Sequence, residues 1–152
     1  MKQQETIDYF LKVVWQNVSN AYNQIASEFG ITQAVGYMLI NIDKDGTAVS
    51  KLAALLGVKA TSLSRMLNNM EELGLIYREA CSGDKRSVKV FLTDFGREKR
   101  QMARDVVISF NEYLNANLTT HEKNNLVSTL QKLNKLTLAY TSTIENDEQK
   151  NK

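Results

Sequence analysis

A mainly helical fold, broken once by a small β-hairpin, is predicted by three observations on this sequence. Apolar residues recur at helical spacing through both ends of the chain and through its middle. Only between Leu75 and Leu92 does the period switch to the alternation of strands. Proline is absent, and Gly30, Gly46, Gly57, Gly74, Gly83 and Gly96 each fall where an apolar pattern stops, so glycine supplies most of the punctuation.

From Ile7, the residues Phe10, Leu11, Val14, Val18, Ala21, Tyr22, Ile25 and Phe29 draw one stripe and predict a long first helix. A second helix follows Thr32, a candidate N-cap, with Val35, Met38, Leu39 and Ile42 inward, and closes at residues 43–46. Two short helices, Ser50–Leu56 and Ala60–Leu73, flank the turn Gly57-Val58-Lys59. Strands are predicted over Leu75–Ala80 and Ser87–Leu92, joined by a polar, basic tip at Cys81–Arg86. Thr93 caps a long helix carrying Met102, Val106, Phe110, Tyr113 and Leu114. The last helix opens on Thr119-Thr120-His121-Glu122, a capping box in which Thr119 and Glu122 satisfy each other's backbone donors. Its seam of Leu126, Leu130, Leu133, Thr137, Tyr140 and Ile144 ends in a polar tail expected to be disordered over 146–152.

At 152 residues the chain can bury a core without disulfides or metal. Its composition, 43% hydrophobic and 24% charged, is that of a soluble globular protein, and the sequence holds no apolar run of membrane-spanning length. The N-terminal residues lack the basic-then-apolar pattern of a signal peptide, so a cytoplasmic protein is expected. One cysteine, Cys81, and one histidine, His121, assemble neither a metal site nor a catalytic triad; no phosphate-binding glycine loop can be written onto the glycines. No enzyme, cofactor or metal is expected.

The net charge of +2 conceals a division along the chain. Residues 48–104 hold 11 Lys and Arg against 6 Asp and Glu, while the remainder is mildly acidic. A basic middle between acidic ends points to one segment that meets a polyanion. Within it, Ser50–Leu73 has the layout of a helix-turn-helix. In the second helix Leu63, Met66, Leu67, Met70 and Leu73 face inward, leaving Thr61, Ser62, Ser64, Arg65, Asn68 and Asn69 outward. These hydroxyls, amides and guanidinium can all hydrogen-bond base edges or phosphates, and no acid interrupts them before Glu71. Lys85 and Arg86 at the hairpin tip, with Lys89 behind them, suit the negative potential of a flanking minor groove. Helix, turn, helix and basic hairpin compose a winged helix-turn-helix at 31–96, flanked by helical dimerisation regions at 1–30 and 97–145.

The stretch from Ser50 to Lys99 resembles the DNA-binding core of MarR-type regulators. Arg78 after the first strand, Asp84 and Arg86 as Asp-x-Arg at the tip, then Leu92, Thr93 and Gly96 match that family's wing signature. The resemblance implies a transcription regulator, commonly a repressor, acting as a homodimer on a pseudo-palindromic operator in double-stranded DNA, with no membrane involvement. It implies that Thr61, Ser62 and Arg65 read or brace the major groove, that Arg86 enters the minor groove, and that Asp84 braces the wing by pairing with an arginine such as Arg78. Lys59 stands where many relatives cap the recognition helix with serine; it is read as a phosphate contact that offsets a loss of about 1 kcal/mol of capping. Two half-sites about one turn apart also demand two-fold symmetry on geometric grounds. The same resemblance implies release by a small anionic or phenolic effector, for which Trp15, Tyr37, Met38 and Tyr113 are candidate lining residues, although residues of this kind at helical spacing also serve as ordinary core.

Two other readings stand beside this one. A winged helix can serve as a protein-interaction module without DNA-binding activity, but such a module has little reason to place Arg65 and Arg86 on one face. RNA binding would call for exposed aromatics near the wing on which single-stranded bases stack. The resemblance disfavours a thiol-based oxidant sensor, since family members of that kind carry their cysteine near the start of the first helix, whereas Cys81 lies beside the wing.

Overall fold

The computed structural model describes residues 5–81 and 84–150, and of residues 60, 81, 84–87 and 142–150 it describes no more than the backbone. The order is α1 (Ile7–Glu28), α2 (Gln33–Ile40), β1 (Thr47–Ala48), α3 (Val49–Leu56), α4 (Ala60–Glu72), β2 (Ile76–Cys81), β3 (Asp84–Leu92), α5 (Asp94–Asn117) and α6 (Thr120–Lys150). The mainly helical class and the winged arrangement are as the sequence predicts. Two compact units divide the chain, Met1–Ile108 and Ser109–Lys152.

The first unit is built around a dry apolar core. Met38, Leu39, Ile42, Leu52, Leu63, Leu67, Met70, Leu75 and Val90 are all buried, contributed by three helices, the hairpin and the loops that join them. Thr32 starts α2 as predicted: its Oγ1 accepts from the Val35 N–H at 3.2 Å. Lys99 donates to the Phe29 carbonyl at 2.8 Å and Arg100 to the Ile42 carbonyl at 2.9 Å. These bonds satisfy carbonyls just past the ends of α1 and α2 and fix the N-terminal half of α5 against them.

The sheet has three antiparallel strands in the order β1-β3-β2, one more than the sequence predicts. β1 is only two residues long, too short to show a period, and pairs Thr47 with Val90. Thr47 is the buried polar residue of the core; its hydroxyl oxygen accepts from the Asp43 N–H at 2.8 Å. β3 starts at Asp84, three residues before the expected Ser87, so part of the presumed tip is strand. The hairpin register is shifted between Ala80 and Cys81, the mark of a bulge.

The junction from hairpin to α5 turns on Thr93 and Gly96. Thr93 Oγ1 donates to the Gly74 carbonyl at 2.6 Å and accepts from the Gly96 N–H at 2.9 Å, the predicted cap. A Cβ on Gly96 would sit inside van der Waals contact with the Leu75 carbonyl oxygen, so this first helical turn approaches the backbone as only glycine can.

In the second unit the Thr119–Glu122 capping box forms as predicted. The Thr119 N–H donates to Glu122 Oε2 at 2.8 Å, and the Glu122 N–H donates to Thr119 Oγ1 at 3.2 Å. That backbone donor holds the Glu122 carboxyl below the usual glutamate range. The α6 backbone is helical to Lys150, past the point where the sequence suggests a disordered tail. Among the described residues no helix is long and apolar enough to cross a membrane.

Candidate nucleic-acid interface

α3 and α4 are joined by a turn whose pivot, Gly57, adopts φ +60°, the left-handed conformation that ends a helix at little cost only for glycine. Leu52 from α3 and Leu63, Leu67 and Met70 from α4 are buried, and Met66 is half-buried. That anchoring leaves Thr61, Ser62, Ser64, Arg65, Asn68 and Asn69 exposed along the outer side of α4. Leu73 departs from the prediction. It is 48% exposed at the C-cap of α4, where its N–H still donates to the Asn69 carbonyl at 2.9 Å before Gly74, at φ +69°, turns the chain.

The N-cap of α4 is Lys59, whose side chain makes no capping bond; its carbonyl accepts from the Leu63 N–H at 3.1 Å. With no acid in the first turn, the N–H groups there and the positive end of the helix dipole face outward beside a cation. On one flank of α4, Ser62, Arg65, Asn69 and Leu73 border a groove of about 600 Å³ shared with the turn from α1 into α2.

On the other flank the wing is tied to α4. Arg78 of β2 donates to Glu71 Oε2 at 2.5 Å and to Asn68 Oδ1 at 2.7 Å. The guanidinium holds the Glu71 carboxyl below the usual range, chiefly through the hydrogen bond, and Glu71 in turn raises Arg78. The resemblance makes Arg78 a candidate partner of Asp84, whose side chain lies outside the described residues; among the described residues the partners of Arg78 are on α4. Asp84, Lys85 and Arg86 lie on the β3 backbone, with their side chains outside the described residues, as is the side chain of Cys81. Glu71 is an addition to the site that the sequence reading did not make, and Asn68, read there as an outward donor of α4, is here also the acceptor of a bond from Arg78. Their three-residue spacing on one helix face was visible, but not that a strand residue would reach both.

A second feature lies between α1, α2 and the middle of α5. An apolar cavity of about 60 Å³ is lined by Tyr22, Ala26, Phe29, Ile31, Tyr37 and Val106, among others. Of the four candidate effector residues only Tyr37 borders it. Met38 is fully buried in the core, Trp15 is exposed on α1, and Tyr113 is exposed in the second unit. The space arises where Ala26, Gly36 and Ala103 stand, so small residues define it. Burial raises the Tyr22 phenol above its ordinary value.

Comparison with known proteins agrees with this geometry. The model of the MarR family matches residues 25–87. The chain is 26% identical over 132 residues to the HTH-type transcriptional regulator SarZ of Staphylococcus epidermidis, covering 86% of each chain. Its structure is similar to that of a MepR–DNA complex from S. aureus, with TM-score 0.78, 23% identity, and coverage of 84% of this chain and 96% of that one. It is also similar to a mutant MarR from E. coli complexed with operator DNA, with TM-score 0.77, 27% identity, and coverage of 88% and 98%.

Proposed function

We infer that this chain is a winged-helix, DNA-binding transcription regulator of the MarR family and, from that premise, that it represses transcription as a homodimer on a pseudo-palindromic operator. The observation that carries the reading is the exposed side of α4, six donor-bearing residues in a row on a helix whose other side is locked into the core. Thr61, Ser62, Ser64, Arg65 and Asn69 enter the major groove, with Lys59 on a phosphate. Lys85 and Arg86, carried by the wing, reach the adjacent minor groove. Arg78 and Asp84 support the wing, and for Arg78 the bond to Glu71 is what supports that role.

Two copies are needed because one α4 spans only a few base pairs. The exposed apolar residues of α1 and α6, Phe10, Val14 and Trp15 on one and Leu126, Leu130 and Tyr140 on the other, are the surfaces a second copy covers. Such a dimer lying across a promoter obstructs polymerase, and its place of action is the cytoplasm.

The effector site we assign to the cavity beside Tyr22 and Tyr37. Its lining holds no Lys or Arg, which favours a phenolic over an anionic molecule. Its present volume of about 60 Å³ is far below the roughly 300 Å³ of an ordinary ligand site, so occupancy must spread α1 and α2 from α5 and thereby displace α4.

Fluorescence anisotropy on the duplex immediately upstream of its own gene, against random duplex, tests the reading. Binding is expected to be selective and to weaken steeply with salt. Arg65→Ala and Arg86→Ala should each cost roughly 1–3 kcal/mol if they contact bases. Salt-independent affinity, or full binding by the double variant, defeats the proposal.

A further inference from the structure

Arg78 is a strand residue that places its guanidinium on two side chains of the recognition helix. A guanidinium only donates, so the Asn68 atom 2.7 Å from it must be the carbonyl oxygen, whichever way the amide would otherwise turn. We propose that Arg78 thereby fixes the hydrogen-bonding sense of Asn68, which offers its Nδ2 amine to the major groove and pairs with an acceptor on a base edge: guanine O6 or N7, or thymine O4. The inference rests on α4 entering the major groove of duplex DNA.

A free asparagine typically grips adenine with two bonds, its oxygen accepting from the N6 amine while its nitrogen donates to N7. Here the oxygen already faces a cation. Bringing the N6 hydrogens to the same atom crowds positive charge against positive charge, whereas the guanidinium polarises the amide and makes the Nδ2 hydrogens better donors.

The anchor is firm on its own side. Arg78 also holds Glu71 at 2.5 Å, with both side chains about one-third exposed, and Glu71 sits one helical turn from Asn68. Across the hairpin Arg78 is paired with Val90, which is fully buried, so the strand position is set by the core. Asn68 itself is exposed, seven residues and two turns along the same outer line as Thr61. Arg78 is therefore a positioning residue that acts on DNA through Asn68, and Glu71 keeps it in place.

Selection from random duplexes by the full-length wild type and by Asn68→Ala, followed by titration of base-analogue operators, tests this. Asn68→Ala should lose preference at one position in each half-site, a position where the wild type selects guanine or thymine. Removing the major-groove acceptor there, with 7-deazaguanine or 2-aminopurine for guanine and 5-methylpyrimidin-2-one for thymine, should weaken the wild type roughly tenfold and leave Asn68→Ala unmoved. Arg78→Gln should admit adenine at that position, while Arg78→Lys, which keeps a cationic donor, should retain the wild-type preference. Because the analogue titrations use the wild type, they stand even if an Arg78 variant folds poorly. A wild-type preference for adenine that is lost with its N6 amine overturns the inference, as does an unchanged preference in Asn68→Ala. If the wild type enriches no sequence at all, the DNA reading itself fails and takes the inference with it.

Discussion

The Leu63, Leu67 and Met70 row of α4 and the Ile7, Phe10 and Val14 row of α1 are written in the same helical period, yet the first is at most 1% exposed and the second between 57% and 67%. Period alone says that a helix has an apolar face. It does not say which chain covers it. The α4 row meets α2, α3 and the sheet within its own unit, where core density leaves no room for change. Among the described residues nothing covers the outer turns of α1 in that way, and on the proposed reading of two half-sites this apolar surface is where a second copy belongs.

The contrast breaks most visibly on the packed side. Gly96→Ala forces a Cβ onto the Leu75 carbonyl, and backbone cannot move aside as a side-chain tip can. Urea unfolding should show a loss of about 3 kcal/mol or more, in the range of a severe overpacking defect. A loss below about 1 kcal/mol would mean that the α5 start is held far less tightly than the Thr93 clamp implies.

On the exposed side the same kind of insult should leave the fold intact. Val14→Asp places a charge where α1 is already in water, so the subunit keeps its helical circular dichroism, while the proposed dimer, which would bury this residue, should lose about 2 kcal/mol or more of association energy. Sedimentation over a dilution series reads this as a shift to monomer. Unchanged association would move the interface away from this half of α1.

How much of this was legible in the sequence follows the same division. Helices long enough to repeat their period, and caps built from adjacent residues such as Thr32, Thr93 and the Thr119–Glu122 box, were readable because the interactions are local. β1 was not, since two residues carry no period and its partner lies over forty residues on. The inward assignment of Leu73 failed at the C-cap of α4, just before the left-handed Gly74, where the helical period no longer fixes which side chains are covered. The outward row of α4 was visible in full, but the tie from Arg78 to Asn68 and Glu71 was not, because a signature shared with a family says which residue types recur and not which neighbours they meet in this chain. The cavity was not legible for a related reason. Large aromatics draw the eye, whereas a gap is made where Ala26, Gly36 and Ala103 leave space.

The smallest expected effect sharpens the comparison within α4 itself, whose inner row is fixed by packing and whose outer row is kept for what it meets. Lys59 occupies the N-cap without capping, and a lysine there is repelled by the helix dipole. Lys59→Ser supplies an oxygen that accepts from the first-turn N–H groups, so the free protein should gain about 1 kcal/mol in urea unfolding. On the proposed reading the same substitution removes one phosphate contact per subunit. Operator affinity should therefore fall, and the slope of log affinity against log salt should flatten by about one for each lysine lost. Stability and affinity moving in opposite directions would show that this position is held against the fold for the sake of DNA. A gain in stability with affinity untouched would leave Lys59 as nothing more than a poor cap.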